Sequence, residues 1–223
     1  MKIICKNISK SYNNTKKGSK NIVINNTSLS LESGDSLAIT GPSGVGKSTL
    51  LNIISGLDNQ DEGEIFFDNI CFSNLSIIDK TKFRLKNISH IFQSHNLLKD
   101  FNVSENIFLP LIYKGLKKKE ALKITLESLE HVNMIKHQFS SIATLSGGEA
   151  QRVGIARAMS MQSKIILADE PTGNLDTESS ASIMSYLKDV CIENKITLIV
   201  VTHDSNILSL LKNTRKMIDG KII

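Results

Sequence analysis

The stretch "SLAITGPSGVGKSTLLNIISGL", Ser36 to Leu57, decides the fold. Five strand-like residues run into a glycine-rich loop, and the loop runs directly into a helix pattern, the order in which a phosphate-binding loop is built. Glycines at 41, 44 and 46 let backbone N–H groups turn inward on an anion, and the helix that follows adds about half a positive charge at its N-terminus. Gly41, Pro42, Ser43, Gly44, Val45, Gly46, Lys47, Ser48 and Thr49 are therefore expected to cradle the phosphates of a nucleotide. Lys47 is expected to reach the β and γ phosphates. Ser48 offers its hydroxyl to Mg²⁺, which prefers oxygen ligands combined with substrate phosphates.

Apolar runs bounded by turns recur on both sides of this loop: "IICKNI", "SLSLESGDSLAITG", "EIFFDN", "SHIFQ", "IILADE", "ITLIVVTH" and "RKMIDGKII". Several are too continuously apolar for strands wetted on one face, so buried strands flanked by helices, an α/β sheet, are expected. "IILADEP", Ile165 to Pro171, ends in two carboxylates, an expensive way to finish a buried strand unless a cation or reacting group meets them. Asp169 is expected to hold Mg²⁺ through water. Glu170, one residue on and so on the other face of the strand, is expected to polarise the water that attacks the γ phosphate. A helix cap is the plain alternative for such a pair. "ITLIVVTHD" brings His203 to the tip of another apolar strand, and ligands in open α/β sheets gather at the carboxyl ends of strands. "HIFQSHNLL" sets Gln93 at the end of a further one, within reach of Mg²⁺ or the attacking water, and at the entry to a different kind of sequence.

Between Gln93 and Gly147 the pattern turns helical, with Leu122, Leu126, Leu129 and Val132 predicted to share one buried helix face. This insert ends in "LSGGEAQR", Leu145 to Arg152, where Ser146, Gly147 and Gly148 supply a hydroxyl and free N–H groups at a helix start, a second anion cradle. If the insert projects from the core, that cradle cannot easily reach the nucleotide held by its own Lys47. It is then expected to serve a second copy of the chain. The layout is one domain over 1–223, with a core of about 1–93 and 155–223 and a helical subdomain of about 94–154.

With 40% hydrophobic and 22% charged residues, the 223-residue chain sits near the average of soluble proteins and is sized for one core with a subdomain. No apolar run approaches the about 18 residues of a membrane span, and the start "MKIICKNISK" is too short in apolar residues for a secretory signal, so the expected location is cytoplasmic. Cys5, Cys71 and Cys191 lie far apart without a CxxC pair and are expected to be buried, reduced thiols. The net charge of +5 is spread along the chain, and its one cluster, Lys117 to Lys119, reads as a solvated helix start. Nucleic acid is not expected as a partner.

Taken in order, "GPSGVGKST", the glutamine loop at Gln93, "LSGGE", "IILADE", "NLD" and His203 resemble the motif series of an ABC-type ATPase subunit over essentially the whole chain. "GLDNQDEGEI", "ENIFLPLIY" and "ADEPTGNLD" resemble the macrolide-exporter and lipoprotein-releasing group of that family, which also includes antimicrobial-peptide exporters and detoxification pumps. The resemblance implies a P-loop NTPase fold: a RecA-like core sheet with flanking helices, a helical signature subdomain and an N-terminal antiparallel β part. It implies ATP and Mg²⁺ as cofactors, and a head-to-tail pair in which each ATP lies between one subunit's phosphate loop and the other's signature.

It further implies that Tyr12 in "KSY" stacks on adenine, that Ser146 and Gly148 meet the partner's γ phosphate, that His203 senses the γ phosphate, and that Asp176 communicates across the pair. For Tyr12, packing beside an N-terminal strand is the plain alternative. A membrane permease is implied as the partner that converts closure into work, which would hold the subunit on the inner face of the membrane. Leu97, Leu98 and Phe101 are candidates for the groove that receives it, or else for insert core. Two departures stand out: Glu149 where the family pattern commonly has glutamine, which puts any amide contact to nucleotide in doubt, and Ala150 where another glutamine is frequent. The functional class is then the ATPase of an exporter of peptide, lipoprotein or drug-like cargo. The alternative is a regulatory or mechanotransmitting ATPase that moves no substrate.

Overall fold

The computed structural model describes residues 1–14 and 19–223. Strands β1 (Ile3–Asn14), β2 (Ser19–Leu31) and β3 (Ser36–Thr40) lead into the phosphate loop and α1 (Lys47–Ser55). Then come β4 (Glu62–Phe67), β5 (Ile70–Cys71), α2 (Ile77–Asn87) and β6 (Ile88–Ile91). The middle of the chain forms α3 (Val103–Tyr113), α4 (Lys118–His131) and α5 (Gly147–Ser160). The chain closes with β7 (Ile165–Asp169), α6 (Thr177–Glu193), β8 (Thr197–Val201), α7 (Ser205–Leu210), β9 (Asn213–Ile218) and β10 (Lys221–Ile222).

Two sheets result, an antiparallel one in the order β2-β1-β4-β5 and a six-stranded one in the order β10-β9-β3-β8-β7-β6. In the larger sheet β9, β3, β8, β7 and β6 run parallel, and only β10 turns back. The continuous apolar runs follow from that arrangement, because both faces are covered. Leu37, Ile39, Leu167, Ile199 and Val201 pack with α1 and the antiparallel sheet. Their alternating neighbours Ala38, Ile166, Ala168, Leu198 and Val200 pack with α5, α6 and α7.

The helical middle has its own smaller core, in which Val103, Ile107, Leu129 and Val132 meet Val153 and Ala156 of α5. Another face of the same turns of α5 puts Ile155 and Ala158 in the core beneath the sheet. One unbroken helix thus belongs to both cores and crosses the boundary expected near 154. Leu97 packs against the helical core, whereas Leu98 and Phe101 are exposed.

Three expectations need correction. The buried stripe of α4 is Ala121, Thr125 and Leu129, while Leu122 is 49% exposed and Leu126 only partly covered. Ala121, Thr125 and Leu129 lie one above another on the side of α4 that meets α3 and α5, and Leu122, a step of about 100° round from Ala121, faces outward. Cys5 and Cys191 are buried, but Cys71, on the two-residue strand β5 at the sheet edge, is only partly so. The strand-rich N-terminal part also contains α2, whose apolar spacing hides it: Ile77 and Ile78 point to solvent, and the helix is started by Ser76 accepting from Asp79 N.

The stripe is checked by chemical denaturation. Leu129→Ala should lower the unfolding free energy by about 2–5 kcal/mol, the range for emptied core sites, and Leu122→Ala should stay within about 0.5 kcal/mol. Equal losses would return Leu122 to the core.

Candidate active site

The phosphate loop is shaped by backbone that presses on it from both sheets. At Gly46, φ is 108°, and an added Cβ would sit 2.5 Å from the Val23 carbonyl oxygen of β2. At Gly41, φ is 148°, and the same atom would sit 2.4 Å from the Met217 carbonyl oxygen of β9. Neither contact leaves room for a side chain. No side chain caps α1 and no acidic residue stands in its first turn, so the N–H groups of the helix start face the loop unopposed. Lys47 Nζ donates to the carbonyls of Gly41 at 2.8 Å and Pro42 at 2.9 Å, holding the ammonium within the loop it belongs to.

At the carboxyl edge of the parallel sheet, β7 ends on Asp169, which is 9% exposed. Burial raises its carboxyl above the usual range, against the hydrogen bond from Ser48 and the nearby Lys47 charge. Glu170 follows with φ 45°, so its direction is set by a left-handed backbone turn and not by strand alternation. The turn is fastened by Glu170 N donating to Val201 O at 2.9 Å. Glu170 Oε1 lies 2.8 Å from Nδ1 of His203, at the tip of β8. That carboxylate, by hydrogen bond and by charge, raises the His203 imidazole above its ordinary 6.5. A cleft of about 650 Å³ opens beside these groups, with Ser48, Gln93, Asp169, Gly173 and Asn174 among its walls. The structure thus brings Lys47, Ser48, Asp169, Glu170, His203 and Gln93 to one edge, from four different strand ends.

Ser146, Gly147 and Gly148 do not line that cleft. Ser146 caps α5 by accepting from Glu149 N, and the Glu149 carboxylate returns to the Ser146 N–H and Oγ, both at 2.8 Å. These bonds to Ser146, backbone first, hold the Glu149 carboxyl below its usual range. This reciprocal cap uses one acceptor oxygen at the third helical position, which glutamate and glutamine supply equally, and so accounts for glutamate at this place. Gly148 lets α5 lie close on the turn after Glu170: its Cβ would be 3.1 Å from the Asn174 carbonyl oxygen. Asp176 caps α6, accepting from Ser179 N at 2.9 Å. Tyr12 is 43% exposed, and its hydroxyl bonds Asp58 beside Thr49, the last residue of the loop motif.

Several residues that tie these parts together have no motif of their own. Arg157 of α5 donates to the carbonyls of His95 and Asn96, each at 2.8 Å, just beyond Gln93. His95 Nε2 lies 3.2 Å from Asn174 Nδ2, and Gln151 donates to Pro171 O at 2.6 Å. His95 and Asn96 are both left-handed, which no pattern in "QSHNLL" announces.

A sequence model of the ABC transporter family matches residues 24–173. Among curated proteins, the lipoprotein-releasing system ATP-binding protein LolD of Wigglesworthia glossinidia brevipalpis is 42% identical over 221 residues, covering 98% of this chain and 94% of that one. The LolD of Francisella tularensis subsp. holarctica (strain OSU18) is 39% identical, with the same two coverages of 98% and 94%. Among solved structures, the ATP-binding cassette MJ0796, described as a dimer in a post-hydrolysis state bound to ADP and Pi, superposes with a TM-score of 0.94 at 37% identity, covering 99% of this chain and 96% of that one. A second dimeric structure of that protein, called a bacterial ABC transporter cassette, gives a TM-score of 0.94 at 38% identity with the same coverage.

The His203–Glu170 pair has a signed pH dependence. Because the folded value of His203 is raised, its contribution to stability is complete below the ordinary 6.5 and disappears as pH rises through the folded value. NMR titration of the imidazole should show a midpoint above 6.5 that falls back in Glu170→Gln. A midpoint indifferent to that substitution would separate the two groups.

Proposed function

The chain belongs to the ABC transporter family, and from that premise we propose that it is the ATP-hydrolysing subunit of a membrane exporter whose cargo is peptide, lipoprotein or drug-like. The observation that carries the reading is the Glu170–His203 contact at 2.8 Å, next to a buried Asp169 carboxylate that walls one cleft with Ser48. A base, its orienting imidazole and a metal-side carboxylate stand at one strand edge, above a loop built for phosphates.

In this reading the loop from Gly41 to Thr49 and Lys47 bind the triphosphate, and Tyr12 stacks on the adenine. Ser48, Asp169 and Gln93 fit Mg²⁺: all three offer oxygen, and all three line the same cleft. When bound, the ion supplies Lewis-acid polarisation of the phosphate oxygens. Among the described residues no cluster of three His, Cys, Asp or Glu forms a metal cage, as suits an ion held mainly by phosphate and water. Glu170 takes the proton of the attacking water, and His203 holds the Glu170 carboxylate and faces the γ phosphate.

Ser146, Gly147 and Gly148 complete the charge shell of a second copy's ATP, head to tail. Support comes from the dimeric cassettes at a TM-score of 0.94. Donors of this kind are worth about 10²–10³ in rate each, so a lone subunit binds ATP and barely hydrolyses it. Residues of about 94–154 act as the subdomain that carries the signature. Among the described residues no helix is long and apolar enough to cross a membrane, so the work is delivered through a permease partner that holds this subunit at the inner membrane face.

Glu170→Gln should lower hydrolysis by about 10²–10⁴, the usual worth of a general base, while keeping ATP bound and accumulating a dimer on size exclusion with Mg·ATP. Lys47→Ala should instead weaken ATP binding. In complex with its permease in proteoliposomes, Glu170→Gln should abolish cargo export. Export that continues without hydrolysis would refute the transporter reading.

A further inference from the structure

Tyr12 is an exposed aromatic ring that the chain nevertheless holds from two directions. Its hydroxyl bonds Asp58, in the turn after α1, and stands beside Thr49, in the first turn of α1. Across one face of the ring lies Lys10 Nζ, 5.1 Å from the centroid. Lys10 is itself fixed: its ammonium donates to Asp58 Oδ1 at 3.0 Å and Asn59 O at 2.6 Å, lies 3.7 Å from Asp61, and its side chain is only 12% exposed. Ser11, between them, donates from its N–H and its hydroxyl to Asp61 at 2.7 and 2.8 Å. Three successive residues of β1 are thus tied to three residues beyond α1, and that turn is laid back along the helix by Asp58 N donating to Asn52 O at 3.2 Å.

An exposed ring gains little from burial, so this anchoring serves something other than core packing. Lys10 is not a free phosphate ligand either, because two carboxylates and a carbonyl already surround its ammonium. What remains is orientation. A ring with a cation over one face offers the opposite face, and a tyrosine held by its hydroxyl cannot swing that face away.

We propose that Lys10 and Asp58 are positioning residues for the nucleotide base: they lock the Tyr12 ring so that its free face meets a purine at a fixed offset from the phosphate loop. The proposal rests on the stacking of Tyr12 on adenine. Burial first, and then the Asp58 bond, pushes the Tyr12 hydroxyl up to about 12, so the phenol stays a donor throughout the working range. Burial would raise Asp58, but the bonds from Tyr12 and Lys10 outweigh it and leave that carboxyl below its usual range, a constant acceptor. Because α1 carries Lys47 and Thr49 at one end and feeds Asp58 at the other, the phosphate and base contacts share one rigid support.

The test compares Mg·ATP with inorganic tripolyphosphate, which has the phosphates and no base, as ligands of the full-length chain in calorimetric titration. Tyr12→Ala should weaken ATP by about tenfold, within the range for loss of one base stack, and leave tripolyphosphate unchanged. Lys10→Met, which keeps the stem and removes the cation, and Tyr12→Phe, which keeps the ring and removes the anchor, should each weaken ATP by about three- to tenfold with tripolyphosphate again unchanged. The KM for ATP should rise by the same factor while kcat holds, and Lys10→Arg should restore binding. If Tyr12→Ala loses affinity but Lys10→Met and Tyr12→Phe bind ATP normally, the positioning role is overturned and the stack survives. If Tyr12→Ala binds ATP normally, stack and proposal fall together. Equal losses for ATP and tripolyphosphate would overturn the proposal by tracing the effect to the phosphate loop through Thr49.

Discussion

Two carbonyl oxygens, of Val23 in β2 and Met217 in β9, press on the phosphate loop so closely that positions 46 and 41 admit only glycine. The rest of the site depends on this constraint. The loop is held between the antiparallel sheet and the outer strands of the parallel one, so its curvature is set by elements from both ends of the chain. With the backbone fixed, the N–H groups of the α1 start and the Lys47 ammonium converge on one point, and the energetic cost of ordering them falls on folding and not on ligand binding.

The carboxyl edge of the sheet then supplies the chemistry, and α5 supplies its counterpart elsewhere. Because α5 is packed in both cores, the serine at its start is rigidly related to the strands. Arg157, His95, Gln151 and Asn174 link the turn after Gln93, the body of α5 and the turn after Glu170. A shift of any of these segments is therefore felt by the other two.

Much of this was legible in the sequence, and the reason is local. The strand, glycine loop and helix order around Lys47, the apolar strand ending on Asp169, and the Ser146–Glu149 spacing each encode a geometry that neighbouring residues suffice to produce. What escaped depended on distant partners. The covered side of α4 leaves out Leu122, because only the placement of α3 and α5 decides which side of a leucine-rich helix is covered. The direction of Glu170 comes from a left-handed turn tied to Val201, a residue of another strand. Lys10 and Asp58 lie 48 positions apart, and nothing in "KSY" or "GLD" declares that they meet.

The most direct measurement is a cross-link across the proposed shared site. Ser43→Cys and Ser146→Cys, combined in a Glu170→Gln chain loaded with Mg·ATP and oxidised, should yield a covalent species of about twice the 24.6 kDa subunit mass on a non-reducing gel. An internal disulfide confined to the single subunit would mean that the signature reaches its own phosphate loop, and the account of a site divided between two copies would be wrong.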